Sequence, residues 1–393
     1  MPEPEGDTQA AVGNQRSFRR YLRQEPVILA LLSLLAVVFF LAVTALSHIY
    51  QAQQESLGNR WFLRGAADLK QGHFESAVTE FRSALLYSRD SYAYQLDLAE
   101  ALIGLKRTAE AQAYFINLWD REPENGLVNL ELARIAAQKG ETEQALRYYH
   151  NAIYATWPGD QQVQRRDTRV ELIQYLLNIN AKAQAQAELI ALAANLEDDP
   201  AQQTRVGSLF LQAQDYEHAL GEYRLSLKAD PHDAAALAGA GFSAFQLGRY
   251  SMAERYLQEA VSANPNDAQS AARLRTAALV MQMDPFQRQM SVAQRDRIVL
   301  EAFAAAGQRL ESCSAAGAAK GLATIPVAQT GLSEAWAKMK PQITESGLRR
   351  DPDLVNTTME LVFSIERQTS NACGAAGEAD AALLLIAKLH ESN

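Results

Sequence analysis

GSLFLQAQDYEHALGEYRLSLKADP (Gly207–Pro231) and GFSAFQLGRYSMAERYLQEAVSANP (Gly241–Pro265) are the same pattern written twice, at one constant offset. Gly207, Tyr216, Ala219 and Pro231 recur as Gly241, Tyr250, Ala253 and Pro265. The offset is about 34 residues, and a unit of that length reads as two short amphipathic helices; one such pair cannot bury its apolar face alone, so the units must stack. Gly207 and Gly241 fall where a close helix approach excludes a Cβ, and Ala219 and Ala253 are small residues at the next crossing. Tyr216 and Tyr250 fill the space between helices. Asp230-Pro231 and Asn264-Pro265 close each unit, because proline cannot continue the preceding helix.

This pattern resembles the tetratricopeptide repeat family, which implies an all-α, right-handed superhelical solenoid. The frame carries upstream. Trp61, Gly65, Gly72, Phe74, Ala77, Phe81 and Ala84 match the family's pattern over Gly58–Ser91, with Arg89 where proline is usual. Leu98, Ala99, Leu102, Ala111, Phe115 and Pro123 give a weaker unit from Tyr92, with Lys106 in place of the turn glycine. Leu132, Ala133, Gly140, Ala145, Tyr149 and Ala152 give a third from Gly126, ending at Trp157-Pro158. Between Pro158 and Arg165 the frame slips by six residues. Leu172, Leu176, Asn180, Ala185, Leu189 and Leu192 then keep the hydrophobic period of a fourth unit without the family's glycine or aromatics. Ala268–Met283 reads as a final single helix covering the last apolar face. About six repeats and a cap, over residues 58–283, are expected.

The N-terminal part is of another kind. Val27–Leu46, VILALLSLLAVVFFLAVTAL, has Ser33 and Thr44 as its only polar residues. Twenty helical residues span about 30 Å, the thickness of a bilayer core. Arg16, Arg19, Arg20 and Arg23 precede the run and no Lys or Arg follows until Arg60, so the positive-inside rule places the N-terminus in the cytoplasm. Residues 1–25 form a cytoplasmic tail, its first fifteen residues polar and expected to be disordered, and residues 26–49 a single-pass anchor. The repeats then lie outside the cytoplasm, in the periplasm of a bacterium whose inner membrane holds the anchor. The alternative is a cleaved secretory signal with Ala45-Leu46-Ser47 at its end, although the run exceeds the usual length of a signal's apolar core. No Gly-x-x-x-Gly face marks the anchor for helix pairing, so it reads as a tether.

From residue 285 to 393 the repeat frame is lost, and a separate C-terminal helical domain is expected. Phe303, Cys313, Ala315, Ala316 and Gly317 recur at a second constant offset as Phe363, Cys373, Ala375, Ala376 and Gly377, either a duplication or a product of Ala-rich composition. Cys313 and Cys373 are the only cysteines. In an oxidising compartment an even pair more often forms a disulfide than stays free, and no Cys-x-x-Cys, haem or His-bearing zinc pattern accompanies them. Ser314–Ala328, with Gly317, Gly321 and Pro326, reads as an irregular loop.

Enzyme motifs are absent: no Gly-x-Ser-x-Gly elbow, phosphate loop or His-Glu-x-x-His is found. His48, His73, His150, His218, His232 and His390 are scattered, and Asp198-Asp199 before Pro200 reads as a helix terminator rather than a metal pair. No catalytic residue, metal or cofactor is expected. A net charge of −9 disfavours nucleic acid, which requires a basic face.

What remains is surface shape. The resemblance implies that the first helix of each unit lines a concave groove for a partner peptide or helix. Transferred position by position, that groove comprises Phe62, Ala66 and Leu69; Leu96, Glu100 and Ile103; Leu130, Arg134 and Ala137; Thr204, Ser208 and Leu211; and Ala238, Phe242 and Phe245. The Lys/Asn/Arg clamp by which some family members hold chaperone C-termini is missing, and the mostly apolar set suits an amphipathic or extended protein segment. Phe242 and Phe245 have a second reading, as packing against a neighbouring helix. The function expected is a scaffold or adaptor in envelope protein assembly, secretion or quality control. The alternatives are a scaffold subunit of an exopolysaccharide export complex, and a C-terminal enzyme or ligand-binding domain recruited through the repeats.

Overall fold

The computed structural model describes residues 11–196, 198–319, 327–374 and 377–391. Among them regular structure is helical throughout: eighteen helices, no strand, and one isolated parallel bridge between Asn125 and Thr156. The chain forms two compact units, 1–168 and 169–393.

The first unit begins with α1 (Ala11–Gln71), a single helix of 61 residues. It continues through α2 (Phe74–Tyr87), α3 (Tyr92–Gly104), α4 (Thr108–Arg121), α5 (Gly126–Lys139) and α6 (Thr142–Tyr154) into α7 (Gln161–Asn178), where the units divide. Successive helices pack as pairs on Phe81, Leu98, Leu102, Phe115, Leu118, Leu132, Ile135 and Ile153, all fully buried. The second unit takes in α8 (Lys182–Ala193), α9 (Pro200–Gln212), α10 (Tyr216–Ala229), α11 (Ala234–Gln246), α12 (Tyr250–Ala263) and the single α13 (Ala268–Met283). It ends with α14 (Val292–Ala319), α15 (Val327–Met339), α16 (Glu345–Arg350), α17 (Asp353–Cys373) and α18 (Glu378–Glu391). One apolar cluster joins these elements, from Ile173 and Leu189 through Phe210, Tyr223 and Leu257 to Val299, Phe303, Met359 and Ile386.

The paired helices turn in one way. At Gly72, Lys106, Gly140, Asn180, Gln214 and Gly248 the backbone is left-handed, with φ between 59° and 79°. Those positions recur at the repeat period, except that the interval from Gly140 to Asn180 is longer by the frame slip. The next residue's N–H reaches five residues back each time: His73 to Asp68, Arg107 to Leu102, Glu141 to Ala136, Ala181 to Leu176, Asp215 to Phe210 and Arg249 to Ala244, at 2.8–2.9 Å. This is the Schellman closure, which satisfies carbonyls left open at a helix end. The divergent fourth unit, α7–α8, makes the same turn at Asn180, and the inserted residues lie before it. Close approach sets the glycines: a Cβ at Gly239 would sit 2.2 Å from the Tyr223 ring, and one at Gly207 would sit 3.0 Å from that same ring.

Three local expectations are corrected. Asp199 does not terminate a helix; it caps the start of α9, its carboxylate accepting from the Ala201 N–H at 2.9 Å, with Pro200 in the first turn where a missing N–H costs nothing. Ser314–Ala328 is not a loop at its ends: α14 runs on to Ala319 and α15 begins at Val327, because Ala-rich sequence tolerates a glycine such as Gly317 within a helix. Residues 320–326 lie outside the described residues. Of the first fifteen residues, Ala11–Gln15 belong to α1 and the first ten lie outside the described residues.

Candidate functional site

The first helices of the repeat pairs carry the candidate groove, and each unit presents its own share. In the first unit the face is built by α1, α3 and α5. Phe62 stacks on Tyr94, ring centroids 4.8 Å apart, and lies 5.8 Å from Phe81. Ala66, Leu69, Leu96, Ile103 and Ala137 are half-buried, while Leu130 is only 7% exposed. Arg134 is tied at 2.6 Å to Glu131, one helical turn before it.

Between α3 and α5 the face is acidic. Glu100 is half-buried, and burial followed by the charges of Asp97 and Glu131 pushes its pKa up to about 7. Burial likewise raises Asp97. Each carboxylate loses hydration without gaining a cation, so its charged form is disfavoured.

The second unit's share, on α9 and α11, is more nearly filled by its own chain. The Thr204 hydroxyl donates to Asp233 Oδ2 at 3.1 Å and lies 2.8 Å from Ser226 Oγ, while Ser208 bonds back to the Arg205 carbonyl of its own helix. Phe242 meets Tyr216 edge-on at 6.1 Å, and the Arg273 guanidinium of α13 lies 4.3 Å from its ring centroid. Phe245 is edge-on to Tyr250 at 5.2 Å, Leu211 packs against the core, and Ala238 is half-buried. Sequence reading did not reach Tyr94, Asp97, Glu131 or Arg273. A usable signal was present for two of them: Asp97 and Glu131 occupy the same position of successive repeats, as Glu100 and Arg134 do.

Beyond the repeats, Cys313 on α14 and Cys373 at the end of α17 have Cα atoms 5.8 Å apart and their sulfurs adjacent, the spacing of a disulfide. Cys313 sits within its helix and Cys373 at a boundary closed by Gly374, so the two copies of the cysteine-bearing pattern differ in structure. Arg309, one turn before Cys313, bonds to the Gly374 carbonyl and lies 3.7 Å from Asp380. A cavity of about 580 Å³ lies beside α17 and α18, with Phe286, Met359 and Phe363 among its apolar walls and Asn356, Arg367 and His390 among its polar ones. His390 is held by Asp284 at 3.2 Å and Arg367 by Glu391. Among the described residues no group of three or more His, Cys, Asp or Glu is arranged to hold a metal ion.

The tetratricopeptide repeat family model matches residues 62–115, 96–161 and 205–268. These segments are tetratricopeptide repeats. They take in α3 and α5, which carry the acidic face, together with α2, α4 and α6, and in the second unit run from within α9 through α12. No curated protein matches the chain. Among solved structures, the chain is similar to YrrB, a tetratricopeptide repeat protein with an unusual peptide-binding site, at 16% identity over 49% of this chain and 95% of that one, TM-score 0.38. It is similar to PilF of Pseudomonas aeruginosa at 16% identity, covering 56% and 97%, TM-score 0.37. PilW, a type IV pilus biogenesis factor, stands at 16%, 56% and 98%, TM-score 0.37. These are likenesses of fold alone.

Proposed function

We propose that this chain is a single-pass membrane protein whose tetratricopeptide repeats act as an extracytoplasmic scaffold, holding a segment of a partner protein in envelope assembly, secretion or quality control. The observation that carries the reading is α1: its apolar stretch from Ile28 to Leu46 is exposed, long enough to cross a bilayer, and continuous with the first repeat helix. The arginines before that stretch support a cytoplasmic N-terminus. A repeat array without catalytic motifs, carrying half-buried apolar side chains on its first-helix faces, supports protein binding. The Cys313–Cys373 pair supports an oxidising compartment, in which we propose it is bonded.

The test is affinity capture of the full chain in mild detergent, with charge introduced on one groove face at a time. Ile103→Glu and Leu211→Glu should each release a co-purifying protein that exposed second-helix variants retain. Capture indifferent to both would remove the groove reading. The α17–α18 cavity favours one other reading, a small-ligand site in the C-terminal helices. A compound retained by the full chain and lost on Phe363→Trp would support it.

A further inference from the structure

The α1–α3–α5 face of the first unit has a charge that its own residues do not balance. Asp97 and Glu100 are one turn apart on α3, hence on one face of that helix. Glu131 of α5, in the register of Asp97, adds a third carboxylate close enough to raise Glu100. Arg134 is the cation of the group, and it is already engaged by Glu131 at 2.6 Å. No ion pair or hydrogen bond reaches Asp97 or Glu100 among the described residues. Half-burying carboxylates without a counter-charge costs stability, and an arriving cation recovers that cost.

The surroundings narrow what can arrive. The half-buried Phe62–Tyr94 ring pair stands on α1 and α3, and aromatic faces beside carboxylates attract ammonium and guanidinium groups. Leu96 and Ile103, two turns apart on α3, offer apolar contact on either side of Glu100. A polyanion is repelled, and a bare metal ion would leave the apolar and aromatic contacts unused.

We propose that the α1–α3–α5 face docks an amphipathic protein segment bearing Lys or Arg, with its cation between Asp97 and Glu100 beside the Phe62–Tyr94 rings and its apolar residues on Leu96 and Ile103. This rests on the scaffold reading above and adds the sign of the partner's charge. The unbalanced carboxylates give recognition its charge selectivity, and the apolar contacts give it affinity.

The experiment uses the full chain in nanodiscs of zwitterionic phosphatidylcholine, which does not itself attract basic peptides. The probe is a fluorescent amphipathic peptide of about sixteen residues built from Leu, Gln and Lys, compared with versions carrying Gln or Glu at each Lys. Fluorescence anisotropy should show the Lys peptide binding about tenfold more tightly than the Gln peptide, with the Glu peptide weakest and the preference shrinking at high salt. The Asp97→Asn/Glu100→Gln double variant should reduce the preference to about twofold without a change in helical circular dichroism. Asp120→Asn/Glu143→Gln, at sites on second helices, should leave it intact. Equal binding of Lys and Gln peptides would overturn the proposed charge selectivity while leaving the groove standing. Failure of every peptide to bind would remove the groove as well. A preference that survives the double variant, or disappears in the control, would place the cation elsewhere and overturn the proposal.

Discussion

Six residues in left-handed backbone decide how the repeat helices turn, and three of them, Lys106, Asn180 and Gln214, carry side chains where glycine fits better. Lys106→Gly and Gln214→Gly are each expected to stabilise the fold by about 1 kcal/mol, read as a higher urea midpoint at constant slope. Asn180 gains less from the same change, since Asn tolerates this conformation. Glu366 behaves oppositely to an ordinary surface acid. It is fully buried on α17, neither oxygen has a hydrogen-bond partner, and burial, followed by the charge of Asp380, pushes its pKa up to about 7, with Arg309 pulling the other way. Its unfolded value is near 4.5. Between these two values the folded chain keeps a proton that the unfolded chain has released, so stability falls as pH rises from about 4.5 through 7. A fall on the order of 3 kcal/mol is expected, and Glu366→Gln should flatten it in denaturation midpoints taken from pH 5 to 8. These residues also mark a limit of sequence reading. Lys106 stood out as a replaced turn glycine, whereas nothing near Glu366 in sequence names Arg309 or Asp380, which reach it from other helices.

At the scale of elements, α1 is where expectation and structure part most usefully. The apolar run and the first repeat helix were both legible, but their continuity was not, because the change from apolar to polar composition resembles a boundary. No Gly or Pro stands between Val27 and Leu57, and the intervening Gln, Ala and Glu are sound helix formers, so the backbone has no local reason to stop. Spin labels at Ser47 and Ser76 should give a narrow distance distribution in nanodiscs, and Gln53→Pro should broaden it while leaving the repeats folded. The fourth pair was faint for a related reason: its packing residues keep the helical period while its glycine and aromatics are gone, so the shared turn at Asn180 is the part of the pattern that survives. For α14 and α17 the proposed Cys313–Cys373 bond closes a long loop. Cys313→Ser should lower stability by up to about 4 kcal/mol in non-reducing thermal melts, with little further loss on adding reductant.

For the molecule as a whole, the repeat frame ends near Asp284, yet the buried cluster of the second unit runs on from Tyr223 and Leu257 to Val362 and Ile386. A periodicity reports which residues repeat, and a tertiary contact between a repeat helix and a non-repeating one leaves no trace in it. The candidate groove was legible to the extent that register is legible: Phe62, Leu96 and Arg134 could be placed by frame, while the aromatic and acidic company they keep depended on neighbouring helices. The proposed topology is a whole-chain property. Protease added to spheroplasts of a Gram-negative host should remove a C-terminal tag and spare an N-terminal one; the reverse pattern would invert the membrane orientation. An unbroken α1 also has a bearing on reach. On the proposed topology, with the apolar run in the bilayer, the helix would climb about 18 Å between Leu46 and Gly58 and hold the repeat face at a nearly constant height above the lipid. A segment projecting from another membrane protein at that altitude would meet the face at high local concentration, whereas a free peptide must find it by three-dimensional diffusion. On the proposed topology the helix would act as a ruler, sorting partners by elevation before any side chain is read.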